Sequence, residues 1–383
     1  MNTSLRQSMA SLHTWAGLLP GWLLYVVFLF GTIAFFQQEI SAWMRPELQT
    51  GSVSNATLDR IVQRLSETAP DSKNWRVSLP DERGGDPITA SWESPTGVSE
   101  ERNFDPVIGR ELIIRATEGG YFLYRFHFDL HYMPSMWARM LISIATLAML
   151  VAILSGVITH KKIFADFFML RFGKGQRSWL DAHNITAVLA LPFHVMITYT
   201  GLVTLLFTLM PWPLDTVFPN RSEYYKAAFP AAPKPQVFGA SDMLAPSTLV
   251  ARAGYTPNDI RAITLHNWGK AGGIAAIWPR GNRIGGTHLA TYLDAETGNV
   301  VQAPPHHGPA FTTQNVMIDL HAGRFSAPVL RWLYFLSGVG GTVMVASGLV
   351  LWTVKRRAKL PDPARPYLGF RLVERLNIGV IVG

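Results

Sequence analysis

Histidines inside apolar stretches are the residues of this sequence whose spacing could do chemistry. His183 and His194 lie in a stretch that carries no charged residue from Ala182 until Asp215. Ionisable side chains are costly within a membrane, and they tend to face the interior of a helix bundle for a functional reason. Their separation of eleven residues is close to three helical turns, so a continuous helix would present both on nearly the same face. Both side chains are therefore candidates for binding a ligand or a cofactor.

The composition predicts the fold class, an all-α membrane bundle with four transmembrane helices. Apolar residues make up 48% of the 383 residues, and the mean hydropathy is positive. A helix needs about 20 apolar residues to cross a bilayer. Four such segments lie within the predicted spans, which are residues 8–40, 132–160, 182–212 and 326–354. The first apolar run is too long for a signal peptide and no Ala-x-Ala site follows it, so we interpret it as an anchor.

Basic residues predict the orientation of the chain. The formal net charge is +8, but the positive side chains concentrate in residues 161–181 and at the start of residues 355–383. Short basic loops stay in the cytoplasm, so this pattern indicates a membrane protein and not a nucleic-acid-binding one. We expect both termini inside a bacterial inner membrane, and residues 41–131 and 213–321 in the periplasm. The last residues, VERLNIGVIVG, resemble the opening of a further apolar segment.

The first and third predicted spans are the first sign of an internal two-fold repeat. From His13 to Gly31 is eighteen residues, and from His183 to Gly201 is also eighteen. Eighteen residues make about five whole helical turns, so each histidine should share a helix face with its glycine. The sequence therefore predicts that the first and third spans are equivalent.

The external segments continue this repeat. Each predicts a helix, near residues 56–65 and 245–253, followed by strands that end in a strand–turn–strand element. Those elements are FDPVIGREL and LDAETGNVV, and the matched motifs FDLH and IDLH follow them, ending at His131 and His321. The chain is thus interpreted as two copies of helix, external module of helices and strands, and helix.

The repeat sorts four of the eleven histidines into two pairs. A pseudo-twofold bundle would bring His13 to His183 near the cytoplasmic face, and His131 to His321 near the periplasmic face. Two imidazole nitrogens from facing helices are the axial ligands that a bis-histidine b-type haem requires. Small residues four positions after His13 and His183 would leave room for a macrocycle. We therefore predict two haem b groups, bound non-covalently because the sequence has no cysteine.

Two further histidines leave alternatives open for this site. His194 has no counterpart in the first repeat, where Leu24 stands. It could replace His131 or His321 as a ligand, hydrogen-bond a haem edge, or satisfy a neighbouring group. His127 lies four residues before His131 and could substitute for it if that stretch is helical.

The absence of several enzyme motifs from the sequence limits the reactions that we expect of this protein. The sequence has no G-x-G-x-x-G fingerprint for flavin or nicotinamide, and no H-E-x-x-H or G-x-S-x-G hydrolase motif. No residue is therefore predicted to act as a catalytic acid, base or nucleophile. Electrons are expected from a quinol or from a cytoplasmic reductase.

Several motifs resemble those of the PepSY-associated transmembrane helix family. They are LHTWAG, LDAH, the two DLH elements and the external turn D-x-x-T-G-x-V, although the first module lacks the threonine of that turn. The resemblance covers nearly the whole chain and is greatest for FoxB-type inner-membrane ferric-siderophore reductases. It implies two PepSY-like periplasmic modules and a haem protein that passes electrons outward to siderophore-bound Fe(III). The implied substrate is a ferric siderophore, with hydroxamate donors favoured.

Two other classes of function remain open. One is a siderophore transporter, which the repeat favours. Four spans are few for a transporter, however, and we expect no broken helix pairs of the kind that surround a transported substrate. The other is a non-enzymatic PepSY protein whose modules bind a partner or restrain a peptidase.

Overall fold

The structure is a computed structural model that describes residues 4–81, 83–160, 169–229, 231–234, 238–281, 283–286 and 288–382. Its residues form two compact units. The helical unit comprises residues 1–35, 122–213 and 316–383, and the sheet unit comprises residues 36–121 and 214–315. Lys161 and Lys162, part of the predicted basic loop, lie outside the described residues.

The helices and strands have the following bounds. In chain order, the helices are α1 (Leu5–Leu18), α2 (Gly21–Ala34), α3 (Gln37–Met44), α4 (Asn55–Thr68), α5 (Gly119–Asp129), α6 (Ser135–Thr159), α7 (Gln176–Leu189), α8 (Leu191–Thr204), α9 (Leu206–Leu209), α10 (Trp212–Val217), α11 (Arg221–Ala228), α12 (Pro246–Arg252), α13 (Pro309–Ala322), α14 (Pro328–Arg357) and α15 (Leu368–Val382). The strands are β1 (Asn74–Ser78), β2 (Ile88–Glu93), β3 (Ser99–Phe104), β4 (Glu111–Leu112), β5 (Ile260–His266), β6 (Ile274–Pro279), β7 (Thr291–Asp294) and β8 (Val300–Gln302).

The helical unit contains helices that are long and apolar enough to cross a membrane. Among the described residues, α6 and α14 meet this condition alone. The pairs α1–α2 and α7–α8 meet it only together, because each pair is bent at a short break, by 62° and 70° respectively. The protein is thus a membrane protein with two such helices, or four spans if each bent pair counts as one.

The bends correct two expectations from the sequence. The first and third spans are not single continuous helices, so the eighteen-residue spacing does not place each histidine and its glycine on one uninterrupted face. The expectation of no broken helices is also wrong. The first break includes Pro20, which has no N–H to continue the helical ladder. The second break falls at Ala190, and Pro192 stands in the first turn of α8, where its missing N–H is tolerated.

Small residues allow the helices of this unit to approach closely. A Cβ built on Gly338 of α14 would lie 2.4 Å from Oγ1 of Thr32, and one built on Gly21 would lie 2.7 Å from Cδ2 of Leu349. Helices in a membrane associate through such packing, because lipid tails are as apolar as the side chains themselves. The glycines therefore fix how α2 and α14 pack.

Residues 368–382, where the sequence predicts the start of a further apolar segment, form helix α15. The side chain of Asn377 in this helix is buried and makes two hydrogen bonds. Its Nδ2 donates to the carbonyl of Leu349 at 2.9 Å, and its Oδ1 accepts from Nε1 of Trp22 at 2.8 Å. An amide in an apolar bundle must find partners, so these bonds position α15 on α2 and α14.

The sheet unit contains one antiparallel sheet of eight strands, in the order β4-β3-β2-β1-β5-β6-β7-β8. The two predicted external modules supply four strands each and join where β1 pairs with β5, with Val77 opposite Ile263. The modules are thus halves of a single unit. Strand β1 alternates in burial, and its inward side chains Trp75 and Val77 pack in one core with residues of α4 and α12. Each such large apolar side chain contributes about 1.5–3 kcal/mol on burial.

The matched strand–turn–strand elements have the same structure despite their different sequences. In both, an aspartate Oδ1 accepts two backbone N–H groups of the turn, at Asp105 and at Asp294. Both turns then place a glycine in the left-handed region, Gly109 at φ 65° and Gly298 at φ 69°. The aspartate and the glycine, and not the threonine that the first turn lacks, therefore set this turn.

Candidate cofactor site

Four histidines of the helical unit form two close pairs. The ring centroids of His13 and His183 lie 6.1 Å apart, with the ring planes at 71°. The centroids of His127 and His321 also lie 6.1 Å apart, with the planes at 27°. The structure thus brings together the predicted cytoplasmic-side pair. In the second pair it joins His321 to His127, the alternative that the sequence left open, and not to His131.

The end of helix α5 explains this difference. Helix α13 continues through His321 to Ala322, whereas α5 ends at Asp129 and the next two residues turn left-handed, with φ 52° at Leu130 and 46° at His131. The chain therefore leaves the helix two residues before His131 and carries that side chain away from the helix face. His127, four residues earlier, is still helical and takes the position facing His321.

The ring of His131 is engaged elsewhere in the helical unit. It stacks on Phe122 with centroids 4.2 Å apart, and its Nε2 lies 2.8 Å from the Phe122 carbonyl oxygen. A carbonyl only accepts, so this bond requires a proton on Nε2. This tautomer leaves the lone pair on Nδ1, but the ring neighbours of His131 in the described part of the chain are Phe122, Phe126 and Tyr132, and not a second histidine. His131 is therefore not paired as a bis-histidine ligand.

The four paired imidazoles share one pattern of hydrogen bonding. Each donates its Nδ1–H to a backbone carbonyl: His13 to Ala152 at 2.8 Å, His183 to Met344 at 2.8 Å, His127 to Val27 at 2.7 Å and His321 to Ile197 at 3.0 Å. Because the carbonyl is an acceptor, the proton sits on Nδ1 and the lone pair of Nε2 is free. Metal-binding imidazoles are usually oriented in this way, by a carbonyl or carboxylate on the other nitrogen.

A glycine accompanies each of these bonds. The accepting carbonyl belongs in every case to the residue four positions before a glycine, and these glycines are Gly156, Gly348, Gly31 and Gly201. A Cβ built on Gly31 would lie 2.6 Å from Nδ1 of His127, and one built on Gly156 would lie 3.0 Å from Cε1 of His13. Any larger residue would therefore crowd the ring that the carbonyl holds.

The pairs fit an iron held in a macrocycle better than a bare metal ion. Among the described residues no group of three or more His, Cys, Asp or Glu could hold a metal. A structural zinc needs four protein ligands, whereas a haem iron needs only two, because the porphyrin supplies the rest. Two imidazoles that held one metal ion between them through bonds of about 2 Å would have ring centres about 6 Å apart. Both pairs match this spacing.

A cavity of about 940 Å³ adjoins the first pair and is lined by both His13 and His183. Its size is at the upper end of the range of about 300–1,000 Å³ that is typical of ligand pockets. Gly17 and Ala187, the small residues four positions after each histidine, also line it. No atom would lie within 4 Å of a Cβ at Gly17, so there is open space beside the pair.

His194 pairs with neither set. It is fully buried, and neither ring nitrogen makes a hydrogen bond to a described residue, although the backbones of Ser337 and Ala187 interact with it electrostatically. Its ring lies 6.0 Å from that of Phe28, and it lines the same cavity as the first pair. His194 is thus a polar side chain inside the bundle without a ligand partner opposite it.

Comparison with known proteins identifies the family. Residues 10–355 match the family described as PepSY-associated TM region. One similar protein is the Uncharacterized protein PA4219 of Pseudomonas aeruginosa, 28% identical over 273 residues, which are 64% of this chain and 65% of that protein. The match thus spans less than two thirds of that relative's length. The family match includes all four paired histidines and their four glycines, so the site lies within the matched residues. Because the match covers most of the chain, the chain belongs to the PepSY-associated TM region family.

Proposed function

We propose that the protein is a dihaem oxidoreductase that reduces siderophore-bound Fe(III) on the periplasmic side of a bacterial inner membrane. The observation that carries this proposal is the pair of facing imidazoles that occurs twice, each with its Nε2 lone pair free. The proposal includes four spans, with each bent helix pair counted as one, and both termini in the cytoplasm. The predicted resemblance to FoxB-type reductases supports the choice of substrate.

Matched contacts support the internal repeat that the proposal assumes. His13 packs on Gly156 of α6, and His183 packs on Gly348 of α14. Both glycines follow a serine near the end of a long span. Equivalent contacts at the other pair use α2 and α8, the second halves of the two bent spans.

The residues of the chain have defined tasks in this scheme. His13 with His183, and His127 with His321, would hold one haem each through Nε2, while the Nδ1 bonds keep the correct tautomer and ring orientation. When bound, haem supplies one-electron transfer between its ferric and ferrous states.

Reduction would release the metal from its chelate. Hydroxamate oxygens are hard donors and hold Fe(III) far more tightly than Fe(II), because the ferric ion is smaller and more highly charged. One electron per iron therefore weakens the complex, and the freed hydroxamate oxygens take up protons from water. The electrons would come from a quinol, which gives two electrons for two irons and releases two protons, or from a cytoplasmic reductase.

The absorbance spectrum of the purified protein tests this proposal directly. We expect a Soret band and close to two haems per chain, removable without breaking a covalent bond. The variant Gly17→Leu should fold normally but lose haem from the His13–His183 pair, because its side chain would extend into open space beside the ring. A wild-type protein without a Soret band would defeat the reductase and leave binding or transport.

The broken spans favour a second candidate, a siderophore transporter. Interrupted helices often surround a substrate path in transporters, and both bent pairs have this form. Proteoliposomes that contain a reduced quinol separate the two functions. A transporter would accumulate the intact labelled ferric siderophore, whereas a reductase would release Fe(II) to a ferrous trap on the side where the siderophore was added.

A further inference from the structure

We propose that the cavity beside His13 and His183 accepts its ligand in one orientation, with carboxylates bound at a basic mouth formed by Arg6, Lys355 and Lys359. This inference rests on the proposed function, since the ligand is the haem that the first histidine pair would hold. Haem b carries two propionate carboxylates on one edge, while the opposite edge is apolar.

The basic mouth and His194 lie at opposite ends of the cavity along helix α14. Gly348 contacts His183, and Gly341, seven residues earlier, contacts His194. Lys355 lies seven residues on the other side of Gly348 and lines the cavity. Seven residues correspond to about 10 Å of helix, so the level of His183 lies midway between the two ends. Each edge of a ligand centred there would meet a different end.

The inner end offers no cation to a carboxylate among the residues that the structure describes. Its polar group is His194, a single fully buried imidazole, and Leu24, Leu191 and Val345 also line the cavity. An ionised carboxylate inside a membrane is costly unless cations pair with it. The apolar edge of the ligand therefore fits this end.

The mouth end of the cavity carries positive charge that no carboxylate of the described residues neutralises. Arg6 donates its Nε–H to the Thr159 carbonyl, which leaves its charge unpaired. Among the neighbouring arginines, Arg171 pairs with Asp181, Arg357 pairs with Glu374, and Arg356 lies over the ring of Trp352. Within the described part of the chain, Arg6, Lys355 and Lys359 have no acidic partner within ion-pair distance, and all three line the cavity. Cytoplasmic basic residues are common next to a membrane span. The position of these three on the wall of the cavity is what points to a bound anion.

Haem and its dimethyl ester, in which both carboxylates are masked, are the probes that test this orientation. The full-length protein would be produced in cells that make no haem, placed in zwitterionic nanodiscs and titrated with each probe. We expect the wild type to bind the free acid roughly tenfold more tightly than the ester, a ratio that corresponds to about 1.4 kcal/mol. The double variant Lys355→Gln/Lys359→Gln should bind the two probes equally.

A matched control separates the mouth from general surface charge. Arg365→Gln/Arg371→Gln removes the same charge from exposed residues that do not line the cavity, and should keep the preference. Equal binding of acid and ester by the wild type would overturn the orientation. The orientation would also be overturned if the control variant lost the preference for the free acid as fully as the lysine variant does. If the lysine variant differed from the wild type only in nanodiscs of anionic lipid, the mouth would be a site for lipid phosphate. That result would also overturn the orientation. A protein that binds neither probe would defeat the proposed function itself, whereas one that binds both alike would defeat only this inference.

Discussion

His127 and His321 lie 6.1 Å apart between ring centroids, although the repeat in the sequence aligns His321 with His131. The difference is one helical turn, and it arises because α5 ends at Asp129 while α13 continues to Ala322. Pairing in the bundle thus follows where each helix ends and not the alignment of the DLH motifs.

The first prediction concerns which histidine holds the external haem. His127→Ala and His321→Ala should each lower the haem content from two to one per chain, because each variant removes one of two axial nitrogens. His131→Ala is the matched control and should keep two, since the ring neighbours of His131 in the described part of the chain include no second histidine. Haem per chain is measured as the pyridine haemochrome. Loss of a haem in His131→Ala, with both retained in His127→Ala, would restore the pairing that the sequence predicted.

The second prediction concerns the glycine beneath each ring. Gly31→Ala should weaken haem binding at the external pair, because its Cβ would lie 2.6 Å from the His127 ring, against 3.0 Å for the closest contact at Gly156. Overpacking of this kind costs about 1–3 kcal/mol. Gly31→Ala should therefore lower the melting temperature of the His127–His321 Soret component more than Gly156→Ala lowers that of the His13–His183 component. Gly379→Ala, which has open space around its Cβ, serves as the control and should leave the melting of both components unchanged.

The third prediction concerns His194, whose ring nitrogens make no hydrogen bond within the described residues. Only the backbones of Ser337 and Ala187 interact with the ring, without a hydrogen bond of normal geometry among the described residues. Replacing His194 with leucine should raise the thermal midpoint by a few degrees, because a buried polar group that lacks such a bond costs about 1–3 kcal/mol. His194→Gln keeps a polar group and should show no such gain. Haem content should stay at two in both variants. A fall to one would mean that His194 is an axial ligand after all.

The parts of the site that depend on local sequence could be predicted. The pair His13–His183 follows from matched positions in two equivalent helices. The turns at Asp105 and Asp294 follow from an aspartate and a glycine four residues later, a spacing that both modules share. Such features are set by a few neighbouring residues, so they can be read without knowing the packing.

The parts that depend on long-range packing could not be predicted. The sequence marks the first break by Pro20, but no proline stands at Ala190, where the second break falls. The carbonyls that accept from the histidine Nδ1 atoms come from residues 100 to 161 positions away. The spacing from His13 to Gly31 marked this glycine, but it did not indicate the ring that Gly31 contacts, which is that of His127.

The fourth prediction concerns pH and the carboxylate of Asp129, which is 4% exposed and lies two residues after His127. Burial pushes its pKa up, but hydrogen bonds from Arg139 and Arg125 outweigh burial and hold the pKa below its ordinary value. A depressed pKa stabilises the folded protein above the unfolded pKa of about 3.9, and this stability is lost as pH falls through the folded value. Asp129→Asn should therefore be less stable than the wild type at neutral pH, by about 1–3 kcal/mol. The difference between their thermal midpoints should shrink below about pH 4. A difference that stays constant down to acidic pH would exclude the charge of Asp129 as its source.

The last prediction concerns the side from which electrons leave. If His127 and His321 form the outer site, a water-soluble ferric hydroxamate should meet it without entering the bilayer. The purified protein would be reduced chemically and mixed with the chelate, and the Soret band would be followed together with a ferrous trap. The wild type should reoxidise and release Fe(II). His127→Ala should release little, although its remaining Soret component can still be reduced. His131→Ala, the matched control, should behave as the wild type does.

If His127→Ala released Fe(II) at the wild-type rate, the electrons would leave the protein at another site. If the intact protein reduced no ferric chelate at all, the haem sites would have to serve another acceptor.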